Sequence, residues 1–376
     1  MHKLNLTEYS MENVKLEDRV TVTLVEAPAM LACNPSNKFY LAGEPGVGKT
    51  SIVAELSRRT GYPYAIIDVP NMGIGDGAIP IPDMQTKTLQ YYPNARFRLH
   101  EGKPVIICLD EFTKGSDEVK NTLHPLLEVK DPRLGDLPLP EGSIVFMTGN
   151  LESDGVGDSL KAHSKMRVSF VEICKPDSDE WLVWAADNDI EPIIMAWVSR
   201  NSDCLASYRD SGQKNNPYIF DPDVVGQGSV VTPRTLELAS NLVKTRHGYS
   251  ANALKAALVG TVGASAANSI THFIQHHESM TPWSEIKANP TTAPLPPNAG
   301  ACAVLTFSAL EHIKDKEDLD SFMTYISRDD ADYDTEEFQV IFGVSLAGPN
   351  STDAKRRLAF TSRAFAEWAE RNQDLL

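Results

Sequence analysis

GEPGVGKT, residues 43–50, is the stretch of sequence that decides the fold. It fits the pattern G-x-x-x-x-G-K-[ST] through Gly43, Gly48, Lys49 and Thr50. In such a loop the glycines let the backbone wrap phosphate groups closely, and the N–H groups point inward as an anion nest. A helix that begins directly after the loop presents its positive end to the same charge. The stretch therefore predicts a strand, a phosphate-binding loop and a helix in succession.

Two side chains of the loop have the chemistry expected for a nucleoside triphosphate. Lys49 is expected to reach the β- and γ-phosphates, and Thr50 to place its hydroxyl on Mg²⁺. A chance Gly-rich turn is the alternative, but an apolar run precedes the loop and a helical pattern follows it. The predicted nucleotide-binding residues of this stretch are Gly43, Glu44, Pro45, Gly46, Val47, Gly48, Lys49, Thr50 and Ser51.

Short apolar runs alternate with helical patterns around this loop. FYLA (39–42) precedes it, and SIVAELSRRT (51–60) follows it with helical spacing. Such alternation predicts an α/β fold, with a parallel sheet covered by helices on both faces. Further buried strands are predicted at 64–69, 105–110, 143–150 and 168–173.

The run VIICLDEF (105–112) ends in two carboxylates. An unpaired charge at the end of a buried strand is costly, so a function is expected for these side chains. Asp110 is predicted to anchor Mg²⁺, and Glu111 to activate the attacking water. An ordinary solvated strand end is the alternative, but the position after a phosphate-binding loop favours catalysis.

Three more polar residues are candidates for contact with the nucleotide. Asn150 ends the run SIVFMTGN, where its amide could hold the attacking water or the γ-phosphate, unless it only forms a turn. Arg167 precedes VSFVEI, and an arginine can stabilise phosphoryl transfer in cis or from a neighbouring subunit. Arg234 stands at the helix start TPRTLELAS, where the positive helix end disfavours arginine unless a phosphate lies nearby. For both arginines the alternative is a solvated surface residue.

Charge and cysteine usage restrict the class of protein. The net charge of −16 disfavours non-specific binding to nucleic acid, because that affinity comes from Lys and Arg. Five scattered cysteines without a CxxC pair indicate reduced thiols rather than a disulfide framework or a zinc site. The sequence shows neither an apolar leader nor a run of membrane-spanning length. These features predict a soluble, cytoplasmic protein.

The chain is predicted to fall into several segments. Two long connections within the α/β part, 70–97 and 130–142, are expected to form hairpin excursions, and such loops are usually functional. The predicted organisation is a lead-in at 1–37, an α/β nucleotide-binding core at 38–175, a helical domain at 176–277, a Pro-rich linker at 278–300 and a helical extension at 301–376. Within the lead-in, the apolar run at 20–32 contains Pro28, and helix and strand both stay open there.

The order of these elements resembles that of an AAA+ ATPase. More narrowly, the chain is similar to the MoxR-like branch, which is related to the dynein-type AAA modules. The stretches that carry the narrower resemblance are DEFTKGSDEVKNTLHPLLE, DPRLGDLPLPEGSIVFMTGN and MRVSFVEICKPDSDEWLVWA. The resemblance covers about residues 38–275 and implies ATP rather than GTP, an AAA+ core and a helical lid domain.

The resemblance also implies roles for the candidate residues. Lys49 and Thr50 would form Walker A, and Asp110 and Glu111 would form Walker B. The remaining implied roles are sensor 1 for Asn150, the trans-acting arginine finger for Arg167 and sensor 2 for Arg234. Arg167 is followed by Val168 where the family usually has Phe, and Lys165 stays open as an alternative finger.

Oligomers and partners follow from the same resemblance. Proteins of the MoxR-like branch resemble chaperones that form hexameric rings and often act with a von Willebrand A-domain protein. Residues 70–97 would be the helix-2 insert and 130–142 the pre-sensor-1 hairpin, which commonly face the central pore or the partner. Tyr91 and Tyr92 would then grip a polypeptide, although packing is the more frequent role of adjacent tyrosines.

The leading functional interpretation is an ATP-driven ring that remodels a protein client. A motor or loader acting on nucleic acid is the first alternative, disfavoured by the acidic balance and by the lack of an aromatic and basic run. A nucleotide-gated binding module with negligible turnover is the second. Residues 301–376 could be a client adaptor or a structural extension of the lid, and we favour the structural interpretation.

Overall fold

The computed structural model describes residues 20–151, 167–278, 280–348 and 351–372. These residues form two compact units. The first contains residues 20–44, 49–151 and 167–174, and the second contains 45–48 with everything described from 175 onward. Among the helices of these residues, none has the length and apolar character needed to cross a bilayer.

The first unit is built around a parallel sheet. Its described strands are β1 (Thr21–Val22), β2 (Phe39–Ala42), β3 (Tyr64–Asp68), β4 (Ala78–Asp83), β5 (Thr88–Pro93), β6 (Ile106–Asp110), β7 (Arg133–Leu134), β8 (Leu137–Pro138), β9 (Ile144–Gly149) and β10 (Ser169–Ile173). Six of them form one sheet in the order β1-β10-β2-β9-β6-β3, with every pairing parallel. The predicted α/β fold with a parallel sheet is therefore confirmed.

Burial explains why these runs form the centre of the sheet. The apolar residues of β6 and all residues of β9 are buried, as expected for strands covered on both faces. The described helices of this unit are α1 (Glu26–Cys33), α2 (Ile52–Thr60) and α3 (Asp117–Leu123). Residues 20–32, for which the sequence allows either a helix or a strand, contain one of each: strand β1 is followed by helix α1. Pro28 lies in the first turn of α1, where no intrahelical N–H bond is lost.

The two predicted excursions form antiparallel hairpins. Strands β4 and β5 pair with each other, and so do β7 and β8. The β7–β8 turn is joined to β5, because Asp136 N–H donates to Tyr91 O at 2.9 Å and Tyr91 N–H donates to Asp136 Oδ2 at 2.6 Å. Gly135 is required in this turn, since its φ is +58° and a Cβ there would lie 2.4 Å from Tyr91 O. We call the resulting surface, residues 78–93 with 133–138, the paired hairpins.

The second unit is helical. Its described helices are α4 (Ser178–Ala185), α5 (Pro192–Arg200), α6 (Pro233–Lys244), α7 (Ala251–Val262), α8 (Ala264–Glu278), α9 (Trp283–Ala288), α10 (Ala299–His312), α11 (Lys316–Ile326), α12 (Glu336–Ala347), α13 (Asp353–Ala359) and α14 (Arg363–Arg371). The long helical pattern that begins at 251 is divided between α7 and α8 at Gly263, whose φ is +86°. The predicted helical character of the C-terminal part is confirmed.

The segment predicted as a linker, 278–300, is packed rather than extended. It contains α9, and its Ile286 and Ala293 are buried. Side chains from α11 and just after it hold its carbonyl oxygens: Tyr325 OH donates to Pro294 O, and Arg328 Nη1 donates to Ala293 O, both at 2.6 Å. These hydrogen bonds and the two buried side chains hold this segment against its neighbours, and its assignment as a linker stays a prediction.

Helices on both sides of that segment share one hydrophobic core. Trp197 and Ile270 lie in the same buried cluster as Phe307, Phe342 and Phe365. Residues 301–348 and 351–372 therefore belong to the same compact unit as residues 175–278. The functional division into a lid and an extension stays a prediction.

Candidate functional site

The candidate residues of the first unit lie where neighbouring parallel strands end. The phosphate-binding loop follows β2, Asn150 follows β9, and Asp110 ends β6. These three strands are adjacent in the sheet, with Ala42 paired to Gly149 and Leu109 to Met147. In open parallel sheets, ligands bind at the carboxyl ends of the strands. The fold thus gathers these predicted site residues at the carboxyl ends of three central strands.

Backbone geometry explains the glycines of the loop. Gly46 and Gly48 have φ of +76° and +104°, in the left-handed region that favours glycine. A Cβ on Gly43 would lie 2.9 Å from Ile173 O of strand β10, closer than real side chains approach. A larger residue at any of these positions would therefore distort the loop.

The Lys49 ammonium lies over the start of the loop. Its Nζ donates to Gly43 O at 2.7 Å and to Glu44 O at 3.0 Å, and it lies 3.5 Å from Asn150 Oδ1. The structure thus brings Lys49 and Asn150 together, as their predicted shared contact with phosphate requires. Their roles in binding and hydrolysis stay predictions.

Thr50 and Asp110, the predicted ligands of magnesium, lie close together. Thr50 Oγ1 lies 3.5 Å from Asp110 Oδ1. A hydroxyl and a carboxylate are the hard oxygen donors that Mg²⁺ accepts, usually together with waters and substrate phosphates. These two residues fit the ion and would hold it, and the bound ion would neutralise charge on the phosphates.

The thiol of Cys108, two residues before Asp110 in β6, is fully buried. Burial, and to a smaller extent the charge of Asp110, raise the pKa of Cys108 well above its ordinary value. A neutral thiol is a poor nucleophile and a poor metal ligand. Cys108 therefore acts as a small apolar residue of β6.

Glu111 stands directly after β6 in a left-handed conformation, with φ of +50°. Its carboxylate pairs with Lys114 Nζ at 2.8 Å, and its backbone N–H donates to Thr148 Oγ1 at 3.1 Å. Positive φ is uncommon for a residue with a side chain, and such strain is often found at functional sites. Lys114 thus holds the Glu111 carboxylate at the end of β6, while the Glu111 side chain stays partly exposed.

Arg167 belongs to a different cluster. Its Nη1 forms an ion pair with Glu128 Oε1 and a hydrogen bond with His124 Nδ1, both at 2.8 Å. The guanidinium is about half exposed. The alternative finger, Lys165, lies outside the described residues, so the choice between the two basic residues stays a prediction.

Arg234 lies in the first turn of α6, in the second unit. Thr232 caps this helix, because its side chain accepts from Thr235 N–H. Within the same unit, Arg234 N–H donates to Gly46 O at 3.4 Å, and a Cβ on Gly46 would lie 2.7 Å from Thr232 Oγ1. The predicted contact of the Arg234 side chain with nucleotide stays a prediction.

Four polar residues of these clusters were not singled out from the sequence. Thr148 contacts both Asp110 and Glu111, Lys114 pairs with Glu111, and Glu128 and His124 both bind Arg167. A threonine inside an apolar strand looks like an ordinary β-branched residue. Only Lys114 could have been predicted, because a lysine three residues after Glu111 is at a spacing that favours an ion pair.

Residues 38–138 match the family model of the AAA domain of the dynein-related subfamily. An AAA domain binds nucleotide, and ATP hydrolysis is the activity that it implies. The match contains Lys49, Asp110 and Glu111 and ends before Asn150 and Arg167. A search of curated proteins found none that matches the chain.

The AAA domain and the helical second unit agree with the AAA+ architecture expected from the sequence. The match supports an AAA+ ATPase and does not distinguish the MoxR-like branch within it.

Proposed function

We propose that this protein is an ATP-hydrolysing AAA+ protein of the MoxR-like branch that forms a ring and remodels or activates a protein client. The observation that carries the ATPase part is the cluster of Lys49, Asn150, Thr50 and Asp110 at three adjacent strand ends. The AAA domain match supports the same activity.

Lys49, Asn150 and Glu111 each have a proposed part in hydrolysis. Lys49 binds the β- and γ-phosphates, and Asn150 orients the attacking water. Glu111 takes a proton from that water as its oxygen attacks the γ-phosphorus and the bond to the bridging oxygen breaks. The pairing with Lys114 holds the Glu111 carboxylate in place for this step.

A neighbouring subunit completes the proposed site. Arg167 is partly exposed and is held by Glu128 and His124, so its guanidinium is presented at the surface of the first unit. An arginine supplied by a neighbour stabilises the charge that develops in phosphoryl transfer. We therefore propose a homo-oligomeric ring with the site shared between adjacent chains, and the resemblance suggests six of them. Arg234 is proposed to contact the nucleotide from the helical lid domain.

The paired hairpins are the proposed client surface. Apolar side chains of β4, β5 and the turn between them are exposed, and Met84 is 83 % exposed. Exposed apolar side chains can form interaction sites, and unfolded or partly folded polypeptides offer matching apolar side chains. The exposed residues are Ile79, Ile81, Met84, Leu89, Tyr91 and Tyr92.

Compartment and partner are further parts of the proposal. The five cysteines are free, which fits a reducing compartment, and we propose the cytoplasm. The resemblance suggests a von Willebrand A-domain protein as the partner that delivers the client.

The proposal is tested by measuring ATPase activity with magnesium in the presence of casein, an unfolded polypeptide, or of single-stranded DNA. We expect turnover that casein stimulates and DNA does not. Stimulation by DNA alone, falling steeply with salt, would replace the proposal by a nucleic-acid motor. Nucleotide binding without turnover would replace it by a gated binding module.

A further inference from the structure

We propose that Thr148 is a positioning residue that fixes both acidic residues of the ATP site, Asp110 and Glu111. The inference rests on the proposed function, because it assigns a role within the same site. It stands on contacts between two strands rather than on any sequence motif.

Thr148 occupies the last but one position of β9 and is fully buried. Leu109 of β6 is paired with Met147 of β9, so the next step of the register places Asp110 beside Thr148. Side chains at equivalent register positions of adjacent strands point to the same face. The hydroxyl of Thr148 thus meets the Asp110 carboxylate across the strand pair.

The hydroxyl of Thr148 is used as donor and as acceptor. It donates to Asp110 Oδ1 at 2.5 Å and accepts from Glu111 N–H at 3.1 Å. A threonine hydroxyl offers one hydrogen and two lone pairs, so one group can make both bonds. Asp110 Oδ1 is also the atom that lies 3.5 Å from Thr50 Oγ1.

Two consequences follow from this arrangement. The orientation of the Asp110 carboxylate toward Thr50 depends on the bond from Thr148. The left-handed backbone at Glu111, with φ of +50°, is held by the same hydroxyl through its N–H group. Thr148 therefore couples the proposed metal anchor to the proposed catalytic base without touching the nucleotide itself.

The test compares Thr148→Val, which keeps the shape and removes the hydroxyl, with Thr148→Ser, which keeps the hydroxyl. Affinity for a non-hydrolysable ATP analogue is measured by calorimetry in EDTA and again in excess Mg²⁺. The ratio of the two affinities reports the gain from magnesium. Loss of a residue that orients a metal ligand typically lowers metal affinity or activity by about 10- to 100-fold.

We expect Thr148→Val to lose about 10-fold or more of the magnesium gain, with affinity in EDTA unchanged, and Thr148→Ser to retain it. A merely structural role would lower both affinities together. Thr148→Ala gives the same comparison if the valine variant fails to fold. Thr306→Val is the matched control, since Thr306 is also fully buried and its hydroxyl donates to Cys302 O in the second unit.

Three outcomes overturn the inference, and they differ from one another. An equal loss of affinity in EDTA and in excess Mg²⁺ for Thr148→Val assigns Thr148 a merely structural role. A wild-type magnesium gain that Thr148→Val and Thr148→Ala both retain rejects the role of Thr148 and leaves the proposed function standing. A wild-type protein that binds the analogue equally well with and without Mg²⁺ rejects the magnesium site of the proposed function, and Thr148 with it.

Discussion

Arg167 is held in place by Glu128: its Nη1 lies 2.8 Å from Glu128 Oε1. The same nitrogen is 2.8 Å from His124 Nδ1. The two partners come from the segment that follows α3, about forty residues earlier in the chain. The arginine proposed to act on a neighbour's nucleotide is therefore anchored within its own first unit.

Replacing Arg167 should remove hydrolysis and leave nucleotide binding intact. We expect Arg167→Ala to lower kcat by about 1,000-fold or more, the usual contribution of an arginine that stabilises this transition state. Turnover and affinity for labelled ATP are measured on the same preparation. Arg58→Ala is the matched control, because Arg58 also forms an exposed ion pair, with Glu55 at 2.7 Å. An equal loss in both variants would contradict the assignment.

Replacing Glu128 should have a much smaller effect. An exposed ion pair contributes up to about 1 kcal/mol, which corresponds to at most about a 5-fold change. We expect Glu128→Gln to lower kcat within that range, because the guanidinium loses part of its orientation. The comparison is made at saturating ATP. A rise in kcat would show instead that Glu128 withholds Arg167 from the reaction.

Replacing Lys49 should abolish tight binding of nucleotide. Its ammonium is the charged group that the loop places beside Asn150, and a hydrogen bond to a charged group contributes about 1.5–3 kcal/mol. We expect Lys49→Met to weaken ATP binding by about 10- to 100-fold. Fluorescence titration with an ATP analogue measures this change. Unchanged affinity would place the nucleotide elsewhere.

Replacing Glu111 should separate binding from hydrolysis. Glu111→Gln keeps the size of the side chain and removes its ability to take a proton, so we expect kcat to fall by about 100-fold or more. Purified variant protein should contain bound ATP, whereas the parent should contain ADP. If the parent and the variant behave alike, the protein is a gated binding module rather than an ATPase.

Altering the paired hairpins should affect the client and not the chemistry. Ile79 and Tyr92 are cross-strand neighbours, and both are about half exposed. We expect the double variant Ile79→Ser, Tyr92→Ser to keep basal ATPase activity and lose stimulation by casein. Val259→Ser, at an exposed apolar position of α7, is the control. Stimulation that persists in the double variant would exclude this surface as the client site.

The sequence predicts the strands around the phosphate-binding loop well, because β2, β6 and β9 are largely apolar runs that are ended or followed by Gly or a polar residue. It does not resolve β1, a two-residue strand that exists only through its pairing with β10. Local patterns describe long buried strands, whereas short edge strands depend on their neighbours.

The supporting residues of the site could not be predicted in the same way. The bond from Thr148 to Asp110 joins residues 38 positions apart, and its existence depends on the register of two parallel strands. The packing of the Pro-rich segment likewise depends on Tyr325 and Arg328, which follow it in sequence. Composition identifies the prolines, but it contains no information about the side chains that bind the carbonyl groups of this segment.

The most direct test of the shared ATP site is complementation between Lys49→Met and Arg167→Ala. The two chains are coexpressed with different tags and purified through both, so that every assembly contains both variants. Each variant alone should be inactive. In random head-to-tail mixing, about a quarter of the interfaces join an intact Lys49 to an intact Arg167, so we predict about a quarter of wild-type activity. Activity no higher than that of the variants alone would contradict the shared site.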